Sequence, residues 1–291
     1  MKPYISVVIP VKNGEKTIKK CLDGLLKQTL FDKLEIIIVD SGSNDSTLEI
    51  LSIYPIRLIQ IDPGSFNHGG TRNLGVKEAK GDLVFMTVQD AWTEDVRLLE
   101  KMAVHFLDSE VVGVCGQQVV PHLAPFNPHE WFRPVSSPEI RVFQFENTKE
   151  FEKITPEKKR WICGWDDVVA MYRRSTIKNE LPFSQIEFGE DLDWAQRALR
   201  ASRKIVYDTH AQVNHYHHLS GQQVYDRIKK ELRLEYESFR KIPDESFPYS
   251  KFLKIVYYNF KYKSSLRWIW YNWSLVFYTW KAKRDFIRSL K

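Results

Sequence analysis

The chain has 291 residues, 43% of them hydrophobic, enough to bury a full core as one large domain or as a domain with an appendage, so disorder is not the default. Its net charge of +6 is unevenly placed: residues 251–291 hold seven Lys and three Arg against one acid, Asp285, net +9, which leaves −3 on the first 250. That distribution, with no nucleic-acid-binding motif, argues against a nucleic-acid binder, which would spread cations over its folded body. Three separated cysteines, Cys21, Cys115 and Cys163, form no CxxC pair, so no disulfide framework or zinc knuckle is expected, and a reducing cytoplasm fits. The apolar run from Ile5 to Val11 is broken by Pro10 and is too short for an export signal or a spanning helix.

In chain order, residues 5–9 read as a strand, followed by a turn at Lys12-Asn13-Gly14 and an amphipathic helix carrying Ile18, Cys21, Leu22, Leu25 and Leu26. Residues 35–39 give a second strand ending at Asp40, and Asp45-Ser46-Thr47 can cap a helix with Leu48 and Leu51. Residues 56–61 make a third strand; a glycine-containing loop follows, then a helix closing over 75–79, then a fourth strand at 83–87 that stops at Gln89-Asp90-Ala91. Alternating strands and helices predict an α/β fold, a mainly parallel sheet with helices on both faces. Ligands of such sheets lie beyond the carboxyl ends of the strands, and those positions here are acidic or polar: Pro10 to Lys12, Asp40 to Asp45, Phe66 to Asn73, and Gln89-Asp90. Neither GxGxxG nor GxxxxGK[ST] occurs, which removes the main support for dehydrogenase and P-loop kinase readings.

Residues 118–160, rich in Pro, Phe and charge without periodicity, are expected to form a long loop or insertion near an acceptor site. Asp166-Asp167 precede an apolar strand, 168–171, that ends in Arg173-Arg174. Gly189-Glu190-Asp191 opens a helix whose Leu192, Ala195 and Leu199 face the core, which puts both carboxylates at the helix start. Val224, Ile228, Leu232 and Phe239 space a helix over 220–241. Beyond Pro248, aromatic residues interleave with Lys and Arg, and Arg267, Asn272 and Lys281 interrupt any spanning run. A membrane surface and a second subunit are both open readings of that tail.

Val7-Val8-Ile9-Pro10-Val11-Lys12-Asn13-Gly14 followed by Ile38-Val39-Asp40-Ser41-Gly42-Ser43-Asn44-Asp45-Ser46-Thr47 resembles the inverting glycosyltransferase family 2, which has a GT-A fold. Phe66-Asn67-His68-Gly69-Gly70-Thr71-Arg72-Asn73 with Gln89-Asp90-Ala91 is similar to the family's bacterial rhamnosyltransferase branch, which typically uses dTDP-rhamnose. Gly189-Glu190-Asp191-Leu192-Asp193-Trp194 and His215-Tyr216-His217-His218 are similar in order and spacing to its acceptor half. The resemblance covers roughly residues 4–240 and leaves the tail unexplained.

It implies a GT-A domain at 1–245, with a donor half at 1–117 and an acceptor half at 118–245, and a helical extension at 246–291. The donor-binding set it implies is Pro10, Val11, Asn13, Asp40 against the base, Asp45 near the ribose, His68, Arg72, Asn73, Gln89 and Asp90. Capping is the open alternative for Asp40 and Asp45. The usual metal motif has two aspartates one residue apart, but the first position here is Val88. Asp90, with His215 or His217, is left to hold Mg²⁺ or Mn²⁺, and Arg72 could grip the diphosphate instead.

Asp191 is the implied base with Glu190 beside it; stabilisation of the helix dipole is the alternative for both. Trp165, Asp166 and Asp167 are the expected acceptor wall, Trp165 either stacking on a sugar or simply buried. The implied partners are a nucleoside-diphosphate sugar and a saccharide or lipid-linked acceptor, the location cytoplasmic or peripheral at the inner face of the plasma membrane. An inactive membrane-associated scaffold and a sugar-phosphate nucleotidyltransferase are the competing readings.

Overall fold

A computed structural model describes residues 2–120, 127 and 138–290. Its elements in order are β1 (Ile5–Val11), α1 (Ile18–Leu26), β2 (Leu34–Asp40), α2 (Thr47–Leu51), β3 (Arg57–Gln60), α3 (His68–Glu78), β4 (Leu83–Met86), α4 (Leu98–Ala103), β5 (Val111–Val119), β6 (Ile140–Phe143), α5 (Thr148–Lys153), α6 (Pro156–Ile162), β7 (Ala170–Arg173), α7 (Arg174–Asn179), α8 (Glu190–Arg200), β8 (Lys204–Asn214), α9 (Gly221–Phe239), α10 (Tyr249–Lys261) and α11 (Arg267–Ser289).

The eight strands form one sheet in the order β3-β2-β1-β4-β7-β5-β8-β6. The first four are parallel, as the alternation predicts, and antiparallel strands extend the sheet beyond β4. β1 lies between β2 and β4 with Ile5, Val7, Val8 and Ile9 fully buried, which is why it reads as a continuous apolar run and not as an alternating one. Its last residue, Val11, is level with Asp40, so the polar segments after β1 and β2 open side by side. On α1, the residues predicted to face inward, Ile18, Cys21, Leu22 and Leu25, are buried.

Two local expectations are corrected. The glycine-containing stretch around residue 70 is the start of α3 and not a loop, because Asn67 caps it by accepting from the Gly70 amide at 2.9 Å. The expected long loop at 118–160 contains β6, α5 and α6, while residues 121–126 and 128–137 lie outside the described residues. β6 was hidden by its exposed apolar residues, Ile140 and Val142 on the rim of the sheet, paired only with β8.

By contacts the described chain divides into two units, residues 2–118, 138–154 and 161–215 in one, and 119–120, 127, 155–160 and 216–290 in the other. The first holds the sheet and the core between it and its helices. In the second, a capping box of Ser220 and Gln223 starts α9, which runs beside α11. A Cβ at Gly221 would stand 2.3 Å from the Tyr278 ring, and Tyr225 donates to Asp285 at 2.9 Å. Residues 216–245, expected with the GT-A domain, thus group with the tail. No helix among the described residues is long and apolar enough to cross a membrane, and the three cysteines are free and buried.

Candidate active site

The ends of β1, β2 and β4 are tied together by side chains that the sequence singles out for donor binding. Gln89, after β4, accepts from the Lys12 amide at 2.9 Å and donates to the Lys12 carbonyl at 3.0 Å, which clamps the segment after β1. Asn13 donates from its amide to Ser43 at 2.8 Å and accepts from the Asn44 amide at 2.9 Å; Pro10 and Val11 lead into this turn. Asp40 is fully buried, and its carboxylate accepts from the Gly42 and Ser43 amides and from the Ser43 hydroxyl. Asp45 accepts from the Thr47 amide and hydroxyl and from the Glu15 amide, and these bonds hold its carboxyl below the usual range against the opposing effect of burial. Both aspartates therefore make capping bonds within their loops.

Side chains of α3 hold the segment that precedes α8. Asn73 clasps the Phe183 backbone from both sides, at 2.8 and 2.9 Å, and Asn67 donates to the Ile186 carbonyl at 3.0 Å. Gly69 lets the helix approach so closely that a Cβ there would stand 2.1 Å from the Ser184 carbonyl oxygen. His68 is exposed, edge-on to Phe66 at 4.9 Å. This stapling brings the segment before α8, and with it Glu190 and Asp191, over the middle of α3.

There Arg72, only 5% exposed, is ion-paired with Glu190 and, at 3.1 Å from Nε, with Asp167. Its guanidinium is committed to these carboxylates and is not the free diphosphate clamp that the sequence suggests. Gly189, at φ +82°, starts α8, whose Leu192, Ala195 and Leu199 are buried as predicted. Asp191 keeps partial exposure, accepts from the Leu192 amide at 2.7 Å, and lies 3.5 Å from the Asp167 amide.

Burial, reinforced by Asp167, Glu190 and Asp166, pushes the Asp191 carboxyl well above the usual range, with Arg72 opposing. Burial also raises Asp167 to about 7, against the pull of Arg72. Tyr172 donates to Asp167 and accepts from the Trp165 indole at 2.6 Å. Trp165 is itself buried against Trp194, Tyr172 and Tyr207, so of its two readings the packed-core one is realised.

Asp90 and His215 meet at 3.5 Å, Oδ1 to Nε2. The other ring nitrogen of His215, Nδ1, is 2.7 Å from Oε1 of Gln118, whose amide nitrogen donates to Asp166 at 2.5 Å. Since a carboxylate only accepts, this orients the Gln118 amide, puts a hydrogen on His215 Nδ1 and turns Nε2 toward Asp90. Asp90 and His215 offer a carboxylate and an imidazole to a metal ion; His215 is buried, and His217, two residues along the chain and in the second unit, is exposed. Gln118 was missed in the sequence; its position at the end of β5 was the available cue, by the same strand-end rule that picks out Gln89.

Asp90 and Asp191 thus lie at two ends of one polar relay. Asp40 stands at the end of β2, two strands from β4, or roughly 10 Å at ordinary strand spacing. The mainly parallel sheet with polar loops at its carboxyl edge, and the carboxylate cluster at an adjacent helix start, agree with the GT-A-type glycosyltransferase arrangement that the resemblance implies. The sequence profile described as Glycosyl transferase family 2 matches residues 6–179, and the chain belongs to that family.

Among its relatives, the O-antigen chain rhamnosyltransferase RfbN of Salmonella typhimurium is 30% identical over 229 residues, covering 77% of this chain and 69% of that protein. The O-antigen chain rhamnosyltransferase WbaN of Salmonella anatum is 31% identical over 230 residues, covering 77% and 70%. The fold is similar to that of the mannosyltransferase PcManGT from Pyrobaculum calidifontis, solved with GDP-Man and Mn2+, with a TM-score of 0.59 and 16% identity over 83% of this chain and 65% of that one. It is also similar to S. aureus TarS 1–349, with a TM-score of 0.54 and 17% identity over 98% and 92%.

Proposed function

We propose that the protein is an inverting sugar transferase that moves rhamnose from dTDP-rhamnose to a hydroxyl of a polysaccharide or lipid-linked acceptor. The observation that carries the reading is the cluster of Asp167, Glu190 and Asp191 around the buried Arg72, with the neighbouring Asp166 joined through Gln118 and His215 to Asp90. The rhamnosyltransferase relatives support the choice of donor sugar.

In the transfer, the acceptor oxygen attacks the anomeric carbon and forms the new glycosidic bond. The bond from that carbon to the diphosphate oxygen breaks, and the nucleoside diphosphate departs with the electron pair. Asp191, half-buried at the helix start, takes the proton of the acceptor hydroxyl; its raised pKa makes the carboxylate a stronger base than an exposed one. Glu190 and Asp167 hold Arg72, which keeps positive charge beside Asp191. Gln89 and the turn at Asn13 shape the donor side, and Asp40 and Asp45 hold the loop against which base and ribose rest.

Asp90 and His215 would hold Mn²⁺, and Asp90 with waters Mg²⁺. Such an ion supplies charge neutralisation at the leaving diphosphate. The expected membrane or subunit contact of residues 246–291 is independent of this chemistry.

The test is a thermal-shift screen of the whole protein with dTDP-rhamnose, UDP-sugars and GDP-sugars. Stabilisation by dTDP-rhamnose above the others supports the assignment, since a ligand that binds only the folded state raises the melting temperature by mass action. A preference for another donor, or no shift with any, overturns it.

A further inference from the structure

The second unit carries an exposed apolar stripe that its own packing leaves uncovered. On α10, Tyr249, Leu253, Tyr257 and Phe260 follow the i, i+4, i+8, i+11 spacing that puts them on one helix face, and they are 59–75% exposed. The opposite side of the helix makes the packing: Ile255 and Asn259 are buried, and Phe252 lies 5.4 Å from the Trp273 ring. Trp270 on α11, 70% exposed, adds an indole to the outward-facing set.

The charge along α10 itself has one sign. From residue 246 to 284 there is no Asp or Glu, while there are eight Lys and Arg, of which Lys251, Lys254, Lys261, Lys263 and Arg267 are exposed. Helical spacing puts Lys254 and Lys261 on the flank of the stripe.

We propose that α10 docks flat on an anionic lipid surface, its Tyr, Leu and Phe side chains in the acyl boundary and its lysines at the acidic headgroups. Amphipathic helices of this composition lie in membrane interfaces, and aromatic rings with a polar atom suit the headgroup level. No helix among the described residues can cross a membrane, so the contact is a lying one. A second copy is the weaker occupant on the same evidence. A two-fold contact sets a face against its own image, and here that would oppose lysines to lysines with no acid on α10 to pair them.

The test floats the full-length protein with phosphatidylcholine vesicles, with and without phosphatidylglycerol, at low and high salt. The expected result is flotation only with the anionic vesicles, reversed by salt. The double variant Lys254→Glu/Lys261→Glu should lower the partition coefficient by at least about fivefold per cation, and Leu253→Glu/Phe260→Glu should lower it by roughly tenfold or more. Both pairs are on exposed positions, and circular-dichroism melting checks that each variant is folded; if one is not, the other decides, together with the lipid and salt dependence of the unaltered protein. Equal flotation with neutral and anionic vesicles, flotation with neither, or folded variants that float like the unaltered protein would each overturn the proposal. So would light scattering that shows a dimer lost in Leu253→Glu/Phe260→Glu while vesicle binding persists.

Discussion

Arg72 and Glu190 stand 118 residues apart in the sequence and form a buried ion pair at the junction of α3 and α8. Asp167 completes the arrangement, at 3.1 Å from Nε of the same arginine. One cation thus holds together the segments that carry the carboxylates, and removing it leaves buried charges uncompensated. Arg72→Met is expected to cost about 3–5 kcal/mol of stability, read from the midpoint of urea unfolding. A loss below 1 kcal/mol would show that the cluster protonates or hydrates without difficulty.

The Asp167 carboxyl, raised by burial to about 7, makes stability depend on pH in a defined direction. Its folded pKa lies above the unfolded one, so its contribution is complete below the unfolded value near 4 and is lost as pH rises through about 7. Asp167→Asn mimics the protonated form at every pH. Between pH 4 and 7 the unaltered protein should lose stability relative to this variant, by no more than about 4 kcal/mol. Parallel melting curves for the two proteins across that window would contradict the assignment.

Gln118 fixes the hydrogen of His215 on Nδ1, leaving Nε2 toward Asp90. Gln118→Leu keeps the bulk and removes this orientation. Mn²⁺ affinity, measured by electron paramagnetic resonance on the whole protein, is expected to fall about 10–100-fold, the usual cost of losing a group that orients a metal-binding histidine. Unchanged affinity would remove His215 from the metal shell.

Gly69 tests the stapling of α3 to the segment before α8. An added Cβ would meet backbone, the Ser184 carbonyl oxygen, and not a yielding side chain. Gly69→Ala should destabilise by about 1–3 kcal/mol and lower activity by displacing Asp191; full activity in this variant would show that the two segments are not coupled.

Much of this arrangement is legible in the sequence, and the remainder is hidden for physical reasons. The apolar run of β1 and the spacing of Leu192, Ala195 and Leu199 are signals of burial, and both appear in the structure where periodicity puts them. Asp191 is implied by the resemblance that Gly189 to Trp194 carries, and periodicity adds only its place at the helix start. Arg72 and Asn73 were recognised as important but given contacts to ligand, because a one-dimensional pattern does not reveal that residues 181–190 fold back onto α3. The two glycines after His68 read as a loop; at Gly69 the small residue answers a close helix-to-backbone approach. Gln118 had no motif around it, and only its place at a strand end marked it. Trp165 illustrates the converse, since in the sequence a sugar platform and a buried ring are equally open, and Trp194, Tyr172 and Tyr207 around it realise the second.

The most direct test of the account is the pH dependence of nucleoside-diphosphate release from dTDP-rhamnose, compared between the unaltered protein and Asp191→Asn. The account predicts a rate that rises with pH through a pKa well above the ordinary carboxylate range, as the Asp191 carboxyl ionises. In Asp191→Asn the rate should fall about 10²–10⁴-fold, with the melting-temperature shift caused by the donor retained. An Asp191→Asn protein that releases the diphosphate at the unaltered rate, with the same pH profile, would contradict the central role given to this carboxylate.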